Sequence, residues 1–176
     1  MKYFLDFDRT LFDTTACYVA LEEKHGEHFP FVPEVWDGFD ACAYVYKDVW
    51  DWFTTQVKKD VYIVTAFTPS YGAQSQEYQS NKLLCSTLSA CVEEMVVMEG
   101  LKGPIVAEIA AQFPPTEPLV FIDDRIDQCL SVRQHVPHAT VYLMVRDPDA
   151  VHDLDPASDI PVIYTLADVN GSIEHI

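Results

Sequence analysis

The feature that most constrains this chain is a set of short, unbroken apolar runs rich in Val, Ile, Leu and aromatics, at residues 3–5, 61–64, 95–98, 119–122 and 141–145. A strand with one wet face alternates apolar and polar residues, whereas a strand covered on both faces does not, so the five runs read as buried parallel strands. A sixth run, 162–164, follows Pro161, which has no N–H to give to a ladder, and is at best an edge strand. Between the runs lie helical stripes. Tyr46, Val49, Trp50, Phe53 and Val57 precede the second run, and Ile105, Val106, Ile109, Ala110 and Phe113 precede the fourth. Further helices are predicted over much of 75–91 and over 126–135. Strands alternating with helices predict a three-layer α/β/α, doubly wound and mainly parallel sheet of Rossmann-like type. In such sheets the ligand sits beyond the carboxyl ends of the strands, so the residues that end each strand are the ones to inspect.

A chain of 176 residues suits a single domain spanning 1–176 with a small insertion. Eleven Lys and Arg stand against 28 Asp and Glu, a formal charge of -17 that opposes binding to a nucleic-acid backbone or an anionic membrane. An anionic substrate remains compatible if a bound cation reverses the local field, which points to a metal. The five cysteines, Cys17, Cys42, Cys85, Cys91 and Cys129, form no CxxC pair and suggest neither a disulfide framework nor structural zinc. No run approaches the roughly 20 apolar residues of a membrane span, and no signal peptide is expected ahead of Asp6. A cytoplasmic setting follows, and the glycosylation triplet at Asn170 reads as chance.

The first strand ends in Asp6-Phe7-Asp8-Arg9-Thr10-Leu11-Phe12-Asp13, the second in Thr65, and the fourth in Asp123-Asp124-Arg125-Ile126-Asp127. Carboxylates converging on one rim repel one another by several kcal/mol at intermediate dielectric unless neutralised. A hard divalent cation such as Mg2+, which takes a few carboxylate oxygens together with waters and a substrate phosphate, is the economical solution.

At these residues the chain resembles the haloacid dehalogenase superfamily. FLDFDRTLFD is similar to its first motif, Thr65 in VYIVTAF to the second, Lys102 in GLKGPIVAEI to the third, and Asp123 and Asp124 in LVFIDDRID to the acidic fourth. Each motif is weak alone; their joint order from residue 6 to residue 127 is specific. The resemblance implies a Mg2+-dependent phosphatase hydrolysing a phosphate monoester. Asp6 would attack phosphorus to form an aspartyl-phosphate, and Asp8 would protonate the leaving group and later activate water. Thr65 would donate to a phosphoryl oxygen and Lys102 would balance charge, with Lys82, inside a predicted helix, as the competing lysine. The implied metal set is Asp6 and Asp124 through side chains, Asp8 through its backbone carbonyl, and Asp123 as ligand or neighbour. Members often carry a further Asp four residues after the metal-binding one. Counting from Asp123 gives Asp127, and counting from Asp124 gives Gln128.

The stretch from Asp13 to Val61 exceeds what a crossover helix at about 45–58 needs, and the surplus at about 14–44 lies where superfamily members carry a cap. A cap this small leaves the site open to a small phosphorylated substrate or a larger one, and the sequence does not define the oligomeric state. The insertion holds His25 and His28, read as surface or substrate-contacting residues, and an aromatic group around Phe29, Phe31, Trp36 and Phe39, read mainly as packing. The Asp- and Pro-rich tail after Arg146, including Asp153 and Asp155, reads as a solvated connection. Two rivals stand within the fold: a superfamily member that binds without turnover, and a phosphomutase or phosphonate hydrolase, for which Lys24 is the candidate Schiff-base lysine. A two-component receiver domain fails on position, because its acceptor Asp and Lys would stand where Glu99-Gly100 and Arg146 occur.

Overall fold

The computed structural model describes residues 1–26, 34–147 and 159–169. His28, Phe29, Phe31, Asp153, Asp155 and Asn170 lie outside the described residues. Six strands, β1 (Lys2–Leu5), β2 (Val61–Phe67), β3 (Glu94–Glu99), β4 (Leu119–Asp123), β5 (Thr140–Met144) and β6 (Val162–Ile163), form one sheet. Their order is β3-β2-β1-β4-β5-β6 and every pairing is parallel. Among the described residues, α1 (Thr14–His25), α2 (Lys47–Phe53), α3 (Ala73–Cys85), α4 (Gly103–Ala110) and α5 (Ile126–His135) accompany them.

The strands read as continuous apolar runs because both faces are covered. In β1, Tyr3 and Leu5 face a core built with Val49, Trp52, Leu83 and Leu88, while Phe4 faces the opposite core with Val106, Ile109, Cys129 and Val132. The same alternation divides β4, with Val120 and Ile122 on the first face and Leu119 and Phe121 on the second. Thus α2 and α3 cover one side of the sheet and α4 and α5 the other. On that second side Gly103 permits close approach of α4 and α5, since a Cβ there would lie 2.5 Å from the Ser131 carbonyl oxygen. The chain runs from β1 outward to β2 and β3, then returns to β4 on the other flank of β1. The switch point therefore lies between β1 and β4, at Asp6 and Asp123.

Local chemistry moves several boundaries from their expected places. The stripe ending at Val57 yields a helix of only Lys47–Phe53, because the Thr54 and Thr55 hydroxyls donate to the Asp51 and Trp52 carbonyls and turn the chain. Val57 is accordingly exposed. The helix expected over much of 75–91 runs from Ala73 to Cys85, and Thr87 adopts φ 60, a left-handed conformation incompatible with continuing it. β2 runs two residues beyond Thr65, where Ala66 and Phe67 keep pairing with Met98 and Glu99 of β3. The short β6, next to Pro161, is an edge.

α1 begins where Asp13 accepts a hydrogen bond from Ala16 N, 2.9 Å away, and ends at Gly26 with φ 82. Of the aromatics after it, Trp36 and Phe39 serve packing: Trp36 lies against Tyr78 of α3 at 5.3 Å between centroids, and Phe39 stacks on Tyr44 at 5.4 Å. The five cysteines form no disulfide. Among the described residues no helix is long and apolar enough to cross a membrane.

Candidate active site

The turn after β1 is held from several directions. Leu11 N and Phe12 N both donate to the Phe7 carbonyl, Arg9 N donates to the Phe12 carbonyl, and Arg146 donates through Nε and Nη2 to the Thr10 carbonyl. Arg146 is itself fixed by both oxygens of Asp48, at 2.9 Å each, and by the face of Tyr46. This bracing carries Asp6 and Asp8 to a cavity of about 480 Å³ above the carboxyl end of the sheet. Thr14, Thr15, Tyr18 and Val19 of α1, the first part of the insertion, form one wall; Tyr78, Gln79 and Lys82 of α3 form another.

On the β1/β4 side, Lys102 is almost fully buried and donates from Nζ to Asp6 Oδ1 and, at 2.6 Å, to Asp123 Oδ2. Its loop is clamped by Gln128, which accepts from Lys102 N at 2.8 Å and donates to the Gly100 carbonyl at 3.2 Å. Asp123 also accepts from Arg125 N, so its two oxygens are both engaged. Asp124 lines the cavity and pairs with Arg9 at 2.9 Å. Oxygens of Asp6, Asp123 and Asp124 all lie within 4.8 Å of one another. Burial raises the pKa of each: Asp6 upward, Asp123 to about 8 and Asp124 to about 7. Charge on neighbouring carboxylates adds to the rise, while Lys102, and Arg9 at Asp124, oppose it. Asp6 Oδ2 is buried and has no hydrogen-bond partner among the described residues. An all-oxygen donor set short of positive charge fits Mg2+.

On the β2/α3 side the arrangement differs. Asp8 accepts from Thr14 Oγ1, from Lys82 Nζ and, at 2.5 Å, from Gln79 Nε2, which also reaches Thr65 Oγ1 at 2.8 Å. Burial pushes the Asp8 carboxyl up, but the Lys82 charge and these three donors outweigh it and hold it below the usual carboxylate range.

Asp6, Asp8, Thr65, Lys102, Asp123 and Asp124 are thus brought together at one end of the sheet. Of the two adjacent aspartates, Asp124 faces the cavity, whereas Asp123 stands behind it on Lys102. Asp127 does not join them: its carboxylate is held by Arg125 Nε and Nη2 at 3.1 and 2.5 Å and is half exposed. The following position, Gln128, serves the Lys102 loop. Both lysines weighed from the sequence reach the site, each on a different aspartate. Lys24 donates to the Asp37 carbonyl at 3.2 Å and lines neither described cavity.

Sequence reasoning missed Thr14, Gln79 and the role of Lys82. A signal existed: Ser75, Gln79 and Lys82, with Ser86 at the C-cap, recur at helical spacing and are all buried, a polar stripe on the inward side of α3 and its end. Four of the eleven lysines and arginines, Arg9, Lys82, Lys102 and Arg125, also line this cavity of a strongly acidic chain.

The fold and site define an α/β protein whose acidic centre lies at a topological switch point. Comparison with solved structures shows the haloacid dehalogenase-like fold. The chain is similar to a protein from Burkholderia xenovorans described as a haloacid dehalogenase-like hydrolase, at 13% identity and TM-score 0.67 over 95% of this chain and 93% of that one. It is also similar to a haloacid dehalogenase-like family hydrolase from Xanthomonas campestris, at 12% identity and TM-score 0.64 over 99% and 94% of the two chains. A third, a haloacid dehalogenase-like family hydrolase from Streptococcus pneumoniae, aligns at 11% identity and TM-score 0.53 over 98% and 97%. No family model matches the sequence, and no curated protein does.

Proposed function

We propose that this protein is a Mg2+-dependent phosphatase that hydrolyses a phosphate monoester through an aspartyl-phosphate on Asp6. The observation that carries the reading is the asymmetry of Asp6 itself: in a carboxylate that lines the cavity, one oxygen is gripped by buried Lys102, and the other has no partner among the described residues. An anchored carboxylate with a free oxygen is what in-line attack on phosphorus requires. Asp6 and Asp124, with the Asp8 backbone carbonyl, would hold Mg2+, which when bound neutralises phosphoryl oxygens.

The chain's own groups divide the remaining work. Lys102 balances the Asp6 charge and stabilises the acylphosphate. Thr65, oriented by Gln79, donates its hydroxyl to a phosphoryl oxygen. Asp8 and Lys82 together hold one mobile proton, carried on Lys82 in the ionised pair; it goes to the leaving oxygen. The pair then recovers a proton from the water that attacks the aspartyl-phosphate, with Asp8 as the base. α1 forms one wall of the cavity, which agrees with a small cap drawn from residues 14–44. The unpaired thiols agree with a cytoplasmic setting.

The test is hydrolysis of 4-nitrophenyl phosphate with and without Mg2+, in wild type and Asp6→Asn. Metal-dependent turnover lost in the variant is expected. Absence of metal-dependent turnover on this reagent and on a broad panel of phosphate monoesters would replace the enzymatic reading with a binding one.

A further inference from the structure

Arg9 is held by a carboxylate that is also a candidate cation ligand. Its Nε lies 2.9 Å from Asp124 Oδ2, and its side chain is 58% exposed against 13% for Asp124. Arg9 adopts φ 56, a left-handed conformation that a residue with a Cβ keeps only when its surroundings fix it. The hydrogen bond from Arg9 N to the Phe12 carbonyl does so here. The stem therefore leaves the rim at a defined point, with the side chain more than half exposed.

The other site cations are tied elsewhere. Lys102 is buried on Asp6 and Asp123, Lys82 is buried on Asp8, and Arg125 is gripped by Asp127 through two nitrogens. Beside the cavity lies a second groove of about 940 Å³, and Arg9, Asp124 and Arg125 line both. The Arg9–Asp124 pair thus sits on the boundary between them. A divalent ion taken up by Asp6 and Asp124 competes with the guanidinium for the same carboxylate and repels it.

We propose that Arg9 has two working positions: it pairs with Asp124 until the cation binds, and once displaced it recognises a second anionic group on the substrate. The substrate portion rests on the phosphatase reading above. It assigns the substrate class as a phosphate monoester whose leaving group carries a further anionic oxygen group, a carboxylate or second phosphate, reaching Arg9 where the cavity meets the groove. The planar guanidinium fork matches both groups.

The experiment uses wild type, Arg9→Met and Arg9→Lys, both of which carry a Cβ like the native residue and add no backbone strain. Calorimetric titration with Mg2+ alone should give about threefold tighter binding in Arg9→Met, as expected for loss of an exposed competing pair. Equal or weaker binding overturns the competition. At saturating Mg2+, wild type should prefer 4-carboxyphenyl phosphate or 1,4-phenylene bisphosphate over phenyl phosphate. That preference should fall about tenfold in Arg9→Met, mainly through KM, and partly return in Arg9→Lys. Whichever of these two probes is preferred over phenyl phosphate identifies the group. A wild type without the preference, or an Arg9→Met that keeps it, overturns the substrate assignment. Wild type inactive on all three reagents sinks the phosphatase reading and the substrate assignment with it, while the calorimetry still decides whether Arg9 competes with the cation.

Discussion

The two halves of the site answer the same problem, buried negative charge, in opposite ways. On the β1/β4 side three carboxylates share one buried lysine and one exposed arginine, and their pKa values rise. On the β2/α3 side a single carboxylate has its own lysine and two neutral donors, and its pKa falls. The first half is short of positive charge and suited to an added cation. The second is complete as it stands and suited to handling a proton. A shared strand end supplies both, two residues apart.

The largest effect expected from breaking this contrast is at Asp6. Asp6→Asn should lower kcat by about four orders of magnitude or more, since loss of a nucleophile removes a whole covalent step. Steady-state kinetics on an aryl phosphate would measure it, and residual activity within tenfold of wild type would dismiss Asp6 from that role. Stability should separate the lysines next. Lys102→Met leaves two buried carboxylates with no cation and should destabilise the metal-free protein by about 3–5 kcal/mol. Lys82→Met leaves Asp8 with Thr14 and Gln79 and should cost about 1–3 kcal/mol. Urea denaturation reads both, and equal losses would erase the distinction between the halves.

pH sharpens the comparison further. In the folded metal-free protein Asp123 and Asp124 hold protons that the unfolded chain releases near pH 4. Their contribution therefore weakens folding progressively as pH rises from about 4 towards about 7 and 8, by up to about 1.4 kcal/mol per pH unit for each proton. Asp8 acts oppositely, stabilising above the ordinary carboxylate pKa and losing that contribution only in acid. The rise in Tm on adding Mg2+ should consequently be greater near pH 8 than in mild acid, and a pH-independent rise would contradict the charge shortage. The smallest effect is expected at Gln79: Gln79→Leu should reduce kcat about tenfold by freeing Thr65 and Asp8, as outer-layer partners commonly do.

The sheet was legible because strands covered on both sides are written as unbroken apolar runs, and Leu5 with Ile122 or Phe4 with Phe121 carry that pattern directly. The Asp6, Asp8, Asp123 and Asp124 cluster was legible for a related reason: the residues follow such runs immediately. Lys82 and Gln79 were harder, because a polar stripe on a helix ordinarily faces water, and only the packing of α3 over β2 turns it inward. The register of the fourth motif could not be settled by counting. It depends on Arg125, which takes Asp127 away from the rim, and on Gln128, whose amide holds the Lys102 loop. Likewise, nothing in the order of residues says that Arg9 meets Asp124, since that contact depends on β1 and β4 being neighbours.

The central claim, that Asp6 carries the phosphoryl group, is met most directly by acid-quenching the protein during turnover of an aryl phosphate in Mg2+ and mapping the covalent phosphoryl adduct by mass spectrometry. The account predicts an acid-stable adduct on Asp6, absent from Asp6→Asn and absent without Mg2+. Turnover with no adduct, or an adduct on Asp8 or any other residue, would contradict it.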